Sequence, residues 1–414
     1  MDIDIHRAPR GRNAQAPQGS PERPPVPSLL RNERYLVPLV FGSAAALVVL
    51  FAIIWYAVGL PGAPAGLRRA LGKLPEANPR ALPTPAPEKR SLIAGLPCGD
   101  AYKRRPIGVM LGSDPIARPI SGLADADLVF EIPVLTNNVT RLLAVYQCGH
   151  PPEIGGVRSA RHDYLFLAKG LDAVLAHWGG SYHALNRIRG ERVAGGVPVY
   201  ETIDAIQGSS ARTYSRITRL PSPYNGYTSY DRLWDALKER SYRTYSVFQG
   251  YPHTDEAPRE QRGEGGTLDV GWPGAMRVRY LYNPETNTYE RSWGGTRHED
   301  GVENRPVRPT VLVVMHAEQR FAKGPGGYND VDVEGQGPLE VYQNGLVIQG
   351  TWSKSDVHKQ DPLTFVTLLG VPIAFVPGQV WIHVVDSRTP VVWTPGPSAP
   401  SEPAGGDTPA FLGG

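Results

Sequence analysis

The sequence predicts an α+β protein: an N-terminal mixed α/β layer domain, then a mostly antiparallel β part, with one transmembrane helix ahead of both. Three observations predict this. No charged residue occurs from Tyr35 to Leu67. Between residues 100 and 250, short apolar runs alternate with helical patterns. Beyond residue 271, strand-like runs bounded by turn residues take over almost completely.

Residues 1–34 are rich in Pro, Arg and polar side chains, show no hydrophobic period, and read as a disordered cytoplasmic leader. The membrane helix is expected over 35–60. Its Leu36–Leu60 core has 25 residues, about 37 Å as a helix against a hydrocarbon layer of about 30 Å. Tyr35 at one end and Trp55 with Tyr56 near the other suit the two interfaces. Ala63-Pro64-Ala65 loosely resembles a signal-peptidase site, so a cleaved leader is the competing reading. Flanking charge does not orient the span, because Arg23, Arg31 and Arg34 on one side balance Arg68, Arg69 and Lys73 on the other. The short leader and long body favour a cytoplasmic N-terminus in a single-pass bacterial cell-membrane protein, with the body extracytoplasmic.

Residues 61–99 form a Pro-rich stalk, with eight prolines between 61 and 97. Within 100–250, Pro106–Leu111, Asp127–Ile132, Arg141–Tyr146 and Ala173–Trp178 read as strands. Helices are expected at Ser159–Gly170, with Ser159 as N-cap, at Tyr182–Arg189 and at Ser229–Glu239. The stretch 251–271 reads as a mobile connector. Over 272–386, strands are expected at Met276–Tyr282, Thr288–Trp293, Thr310–Met315, Leu339–Tyr342, Leu346–Gln349 and Val380–Val385, with Asn344-Gly345 as a two-residue hairpin. The tail, 387–414, reads as disordered.

The chain carries 43 basic and 40 acidic side chains, a net charge of +3. Residues 1–34 contribute six basic and four acidic groups, 61–99 six and two, and the tail one and two. The body is therefore near neutral, and the basic excess flanks the membrane, where it suits anionic lipid. No basic stripe with interleaved aromatics occurs, which excludes a nucleic-acid reader. The two cysteines, Cys98 and Cys148, match no metal pattern and suit one disulfide in an oxidising compartment; the alternative is two buried thiols.

In order along the body stand Arg118-Pro119, Ser121-Gly122-Leu123, Ala126-Asp127, Glu131, Thr140-Arg141, Val157-Arg158-Ser159-Ala160-Arg161 and His177-x-Gly179-Gly180-Ser181. Tyr289-x-Arg291, Gly295, His298-x-Asp300, Gly335-x-Gly337, Asn344-Gly345, Trp352-x-Lys354 and Pro377-Gly378-x-x-Trp381 follow. Over residues 104–386 the chain resembles the YerB-like bacterial lipoproteins, a family of unassigned biochemical function. The resemblance implies a two-part architecture on the outer face of a bacterial membrane. It departs from the family in lacking a lipobox cysteine, in having His162 where the family has Pro, and in Tyr224 where a Pro-His-Asn motif has its histidine.

Arg158 and Arg161, three apart beside a helix start, suit a carboxylate or phosphate, with Ser159 and Arg141 as neighbours. The alternative is an internal ion pair of Arg141 or Arg158 with Glu131 in the strand before. His177-Trp178-Gly179-Gly180-Ser181 stands where a strand gives way to a helix, a usual ligand edge in α/β units, but it is not G-x-S-x-G. His298-x-Asp300 with His177, His183 or Asp163 lacks a diagnostic metal spacing, so no metal or other cofactor is expected. Trp352, Lys354 and Trp381 fit sheet packing. The leading reading is a cell-envelope protein, non-enzymatic or weakly enzymatic, that binds an anionic ligand or protein partner through Glu131, Arg141, Arg158, Ser159, Arg161, His177 and Ser181. The alternatives are an extracytoplasmic hydrolase of envelope glycan or phosphate esters, and a structural scaffold.

Overall fold

The computed structural model describes residues 89–135, 139–208, 212–324 and 326–396. The expected leader, the membrane span and most of the stalk lie outside these residues. Among the described residues, no helix is long and apolar enough to cross a membrane.

The protein is mostly β. The first half supplies β1 (Ile107–Gly112), β2 (Leu128–Pro133), β3 (Thr140–Tyr146), β4 (Ile154–Gly155), α1 (His162–Gly170), β5 (Val174–His177), α2 (Tyr182–Gly190), β6 (Thr202–Asp204), β7 (Ser215–Arg216), β8 (Gly226–Thr228) and α3 (Tyr230–Glu239). From the second come β9 (Gly266–Val270), β10 (Val278–Asn283), β11 (Thr288–Trp293), β12 (Thr296–Arg297), β13 (Val311–His316), β14 (Gln319–Phe321) and β15 (Asn329–Val331). The chain ends with β16 (Gly335–Gln343), β17 (Leu346–Lys354), β18 (Thr364–Thr367), β19 (Val380–Val385) and β20 (Val391–Pro395).

Strands from both halves of the body join in one ten-stranded sheet, ordered β18-β17-β16-β13-β19-β2-β3-β1-β5-β6. Strand β19, near the end of the chain, lies parallel to β2 on one side and to β13 on the other. The physical reason is burial. Strands β1, β2, β3 and β19 are buried at every position, so none can end a sheet against water.

The pleat sorts side chains onto two faces. Leu128, Phe130 and Ile132 of β2 join Val311, Val313 and Met315 of β13 in the core under α1. Val129 of β2 joins Leu312 and Val314 of β13 in the other core, shared with α3 and a five-stranded sheet ordered β12-β11-β10-β9-β20. Strand β10 alternates buried with mostly exposed positions and β11 buried with half-buried ones, as expected of a sheet covering a core on one side.

Two expectations change. The supposed connector contains β9, and the tail begins with β20, which pairs antiparallel with β9 over Val391–Pro395. Helix α1 begins at His162 rather than Ser159, because a backbone bridge between Ala160 and Gly180 keeps residues 159–160 extended. Trp352, Lys354 and Trp381 are buried in sheet strands, and Asn344 and Gly345 take φ of 54° and 68°, as a type I′ hairpin turn requires. Cys98 and Cys148 form a disulfide with Cα atoms 5.9 Å apart.

Candidate functional site

The segment before α1 is held between two parts of the sheet. The Arg158 N–H donates to the Met110 carbonyl at 2.8 Å, and the Trp178 N–H donates to the Arg158 carbonyl at 3.0 Å. The Ala160 N–H donates to Gly179, and the Ser181 N–H donates to Ala160, at 2.9 and 3.0 Å. The Val-Arg-Ser-Ala-Arg and His-Trp-Gly-Gly-Ser motifs therefore run side by side. Gly179 turns the chain at φ 64°, and a Cβ on Gly180 would stand 2.9 Å from the Leu185 side chain.

Three arginines gather here. Arg141 Nη1 and Arg161 Nη1 both donate to the Ser159 carbonyl, at 3.3 and 3.2 Å, and Arg161 Nη1 also reaches the Ala160 carbonyl at 3.0 Å. The Arg158 guanidinium packs over the Tyr224 ring at 4.7 Å, and that of Arg161 over Tyr328 at 4.5 Å. Among the described residues the nearest carboxylate contact is Asp114 Oδ2, 3.8 Å from Arg158 Nη1, too long for a hydrogen bond. Arg141 is only 3 % exposed and Arg161 7 %. Their Nε atoms and Arg158 Nη1 are buried without a hydrogen-bond partner. Burial, then the charges of Arg161 and Arg158, bring the Arg141 pKa down to about 9. Burial is also the main cause of the lowered pKa of Arg161.

The structure separates Glu131 from this cluster. Ile132 pairs with Arg141 across β2–β3, so Arg141 shares the face of Ile132, and Glu131 points to the opposite face. There Glu131 accepts from Arg291 Nη2 at 2.7 Å and from Thr140 Oγ1 at 2.9 Å. Arg291 donates to Tyr280 Oη at 3.2 Å and lies 2.8 Å from His298 Nδ1, while Tyr280 Oη lies 2.8 Å from His383 Nε2. The other candidates have structural duties. Ser181 caps α2 by accepting from the Ala184 N–H at 3.2 Å. His177 Nδ1 lies 2.7 Å from the Gly179 carbonyl oxygen, leaving its buried Nε2 unpartnered, and burial lowers its pKa. The Ser159 hydroxyl does not cap α1; its carbonyl serves the arginines instead.

Residues 93–243 match the N-terminal domain, and residues 268–382 the C-terminal domain, of a protein of unknown function, DUF3048. The chain belongs to the DUF3048 family. It is 29 % identical over 315 residues to YerB of Bacillus subtilis (strain 168), a lipoprotein by name, covering 74 % of this chain and 88 % of that one. A crystal structure of YerB from Bacillus subtilis matches with a TM-score of 0.62 at 26 % identity, over 72 % of this chain and 96 % of that one.

The polar motif residues of this DUF3048 chain fall into two groups. Asp127 accepts from the N–H groups of Gln147, Cys148 and Gly149 at 2.8–3.0 Å. Asp300 accepts from those of Gly122, Ala124 and Val302 at 2.7–3.0 Å. With the Glu131–Arg291 pair, these carboxylates knit the fold. Arg141, Arg158 and Arg161 form the other group, with buried donors unused. Sequence reasoning did not place Asp114, Tyr224 or Tyr328 beside them, because no local spacing links such distant positions. The one available signal was Tyr224 in place of the family's histidine.

Proposed function

We propose that this DUF3048 protein is a membrane-associated, extracytoplasmic envelope protein that binds a carboxylate or phosphate group through Arg141, Arg158 and Arg161. The observation that carries the reading is the set of buried guanidinium N–H groups with no acceptor at three arginines, of which Arg158 alone lies within 4 Å of a carboxylate among the described residues. A buried donor left unpaired costs about 1–3 kcal/mol, and an anion would supply the missing acceptors through charge-assisted bonds. The lipoprotein name of the relative, the uncharged run at 36–60 and the Cys98–Cys148 disulfide support the location. A single-pass anchor with the N-terminus inside is part of the proposal. A reporter cysteine in the tail that stays closed to an impermeant reagent on intact cells would refute that topology.

The scaffold reading has one observation in its favour: Arg161 Nη1 already serves two backbone carbonyls. Titration of the full chain with inorganic phosphate and with citrate separates the two. Losing a charged hydrogen bond is worth about 1.5–3 kcal/mol, so Arg158→Gln should weaken binding about ten- to a hundredfold. Its melting temperature should stay within about 2 °C of the parent, the shift that about 1 kcal/mol produces in a folded body of this size. Absence of saturable binding, or a variant that binds like the parent, refutes the anion site.

A further inference from the structure

One residue beyond Arg161, the first turn of α1 presents a polar group of a different kind. His162 is 4 % exposed and Asp163 only 1 %. Opposite them, β15 carries Asp330. His162 Nε2 lies 3.2 Å from Asp163 Oδ1 and 3.1 Å from Asp330 Oδ1. One ligating atom from each of the three residues lies within 4.8 Å of the other two.

An ordinary hydrogen bond does not complete this arrangement. A single imidazole N–H can serve only one of the two carboxylates, and the two carboxylates repel each other when ionised. The Val331 N–H donates to Asp163 Oδ1 at 3.2 Å, yet Asp163 Oδ2 and His162 Nδ1 are buried and unpartnered. From α2, His183 brings its ring centroid to 5.3 Å from that of His162, and its Nε2 is also buried without a partner. Nitrogen and oxygen ligand atoms thus converge from α1 and β15, and His162, Asp163 and, from α2, His183 each keep a second buried polar atom without a partner. An open cavity of about 460 Å³ lined by His162, His183, Arg187 and Asp330 gives access from solvent.

We propose that His162, Asp163 and Asp330 bind a divalent first-row transition ion beside the His183 ring. Bonds of about 2.0–2.2 Å to nitrogen and oxygen set adjacent ligand atoms roughly 3 Å apart, the spacing already present at 3.1 and 3.2 Å. Imidazole with carboxylate suits Zn²⁺ or Mn²⁺, whereas Ca²⁺ and Mg²⁺ favour all-oxygen sets. The proposal rests on residues other than the three arginines, so either site can fail without the other. Its ligands come from both halves of the chain, so a bound ion also joins α1 to β15.

The test uses the full chain, stripped with a chelator and titrated with ZnCl₂ and with MnCl₂ alone, without added anionic ligand. One equivalent of at least one ion should bind and raise the melting temperature. Asp330→Asn and His162→Gln should each weaken binding by about tenfold or more. Asp332→Asn removes a neighbouring carboxylate that pairs with Arg320 and should bind like the parent. Asp330 is 45 % exposed at its side chain, so its variant should fold and decides the matter even if His162→Gln does not. The proposal fails if neither ion binds with a Kd below about 1 mM. It also fails if Asp330→Asn binds as the parent does, or if Asp332→Asn weakens binding equally.

Discussion

Arg291 shows how a charged residue is accommodated at the centre of this protein. Its side chain and that of Glu131 are fully buried, and its guanidinium also lies 4.5 Å from the Trp293 ring and 4.4 Å from Trp381. Breaking such a pair typically costs about 3–5 kcal/mol, because the remaining charge keeps its burial and loses its partner. Arg291→Met should lower stability by about that amount in denaturant titration of the full chain, and adding Glu131→Leu should recover part of it. The neighbouring histidines add a pH dependence. Burial, then the charge of Arg291, holds His298 and His383 well below the usual imidazole range. Both stay neutral when folded and take up a proton on unfolding below about pH 6.5. Their contribution to stability is therefore present above that pH and is lost as pH falls through it, at about 1.4 kcal/mol per pH unit for each histidine. His383→Gln should flatten the decline in unfolding midpoint between pH 6.5 and 5; a slope equal to the parent's would remove His383 from the account. The sequence placed Glu131 and Arg141 in one candidate site because each stood beside a strand or motif with charge. It did not show that the β2–β3 register sends them to opposite faces.

At the level of elements, the end of β3 is secured from two sides. The Cys98–Cys148 bridge closes a separation of 50 residues, and Asp127 holds the backbone of Gln147, Cys148 and Gly149 from the other side. A loop of that length corresponds to about 4 kcal/mol in the chain-entropy account. Reduction should lower the stability of the full chain by up to that amount. A loss near zero would mean that the Asp127 hydrogen bonds alone fix this end of the strand. Strands with long apolar runs, such as β2, β13 and β19, were legible because burial on both faces leaves a continuous hydrophobic signature. Helices α2 and α3 were legible because Ser181 and Ser229 cap them in fact, each accepting an N–H three residues on. Strands β4, β7 and β12 were not, since two residues show no period. The start of α1 was missed because Ser159 looks like a cap, while the bridge from Ala160 to Gly180 is set by a partner twenty residues away.

At the scale of the whole molecule, the sequence boundary near residue 250 does not separate two bodies. The family matches break at the same place, between residues 243 and 268, yet β19 lies between β2 and β13 in one sheet. Without the second half, β2 would expose a fully buried edge to water, and the core face formed by Val129 and Ala144 would lose Leu312 and Val314. Glu131 would also lose Arg291. An uncovered hydrophobic edge invites association with other chains. Residues 89–250 expressed alone should therefore aggregate or unfold without a cooperative transition, as should 251–396. Mixed or co-expressed, the two pieces should restore one transition near that of the intact chain, because the missing contacts are non-covalent. Far-UV circular dichroism during urea titration distinguishes the outcomes. A sharp transition from 89–250 alone, at a midpoint close to the intact protein's, would show that the first half closes its own core and that β19 is an accessory to the fold.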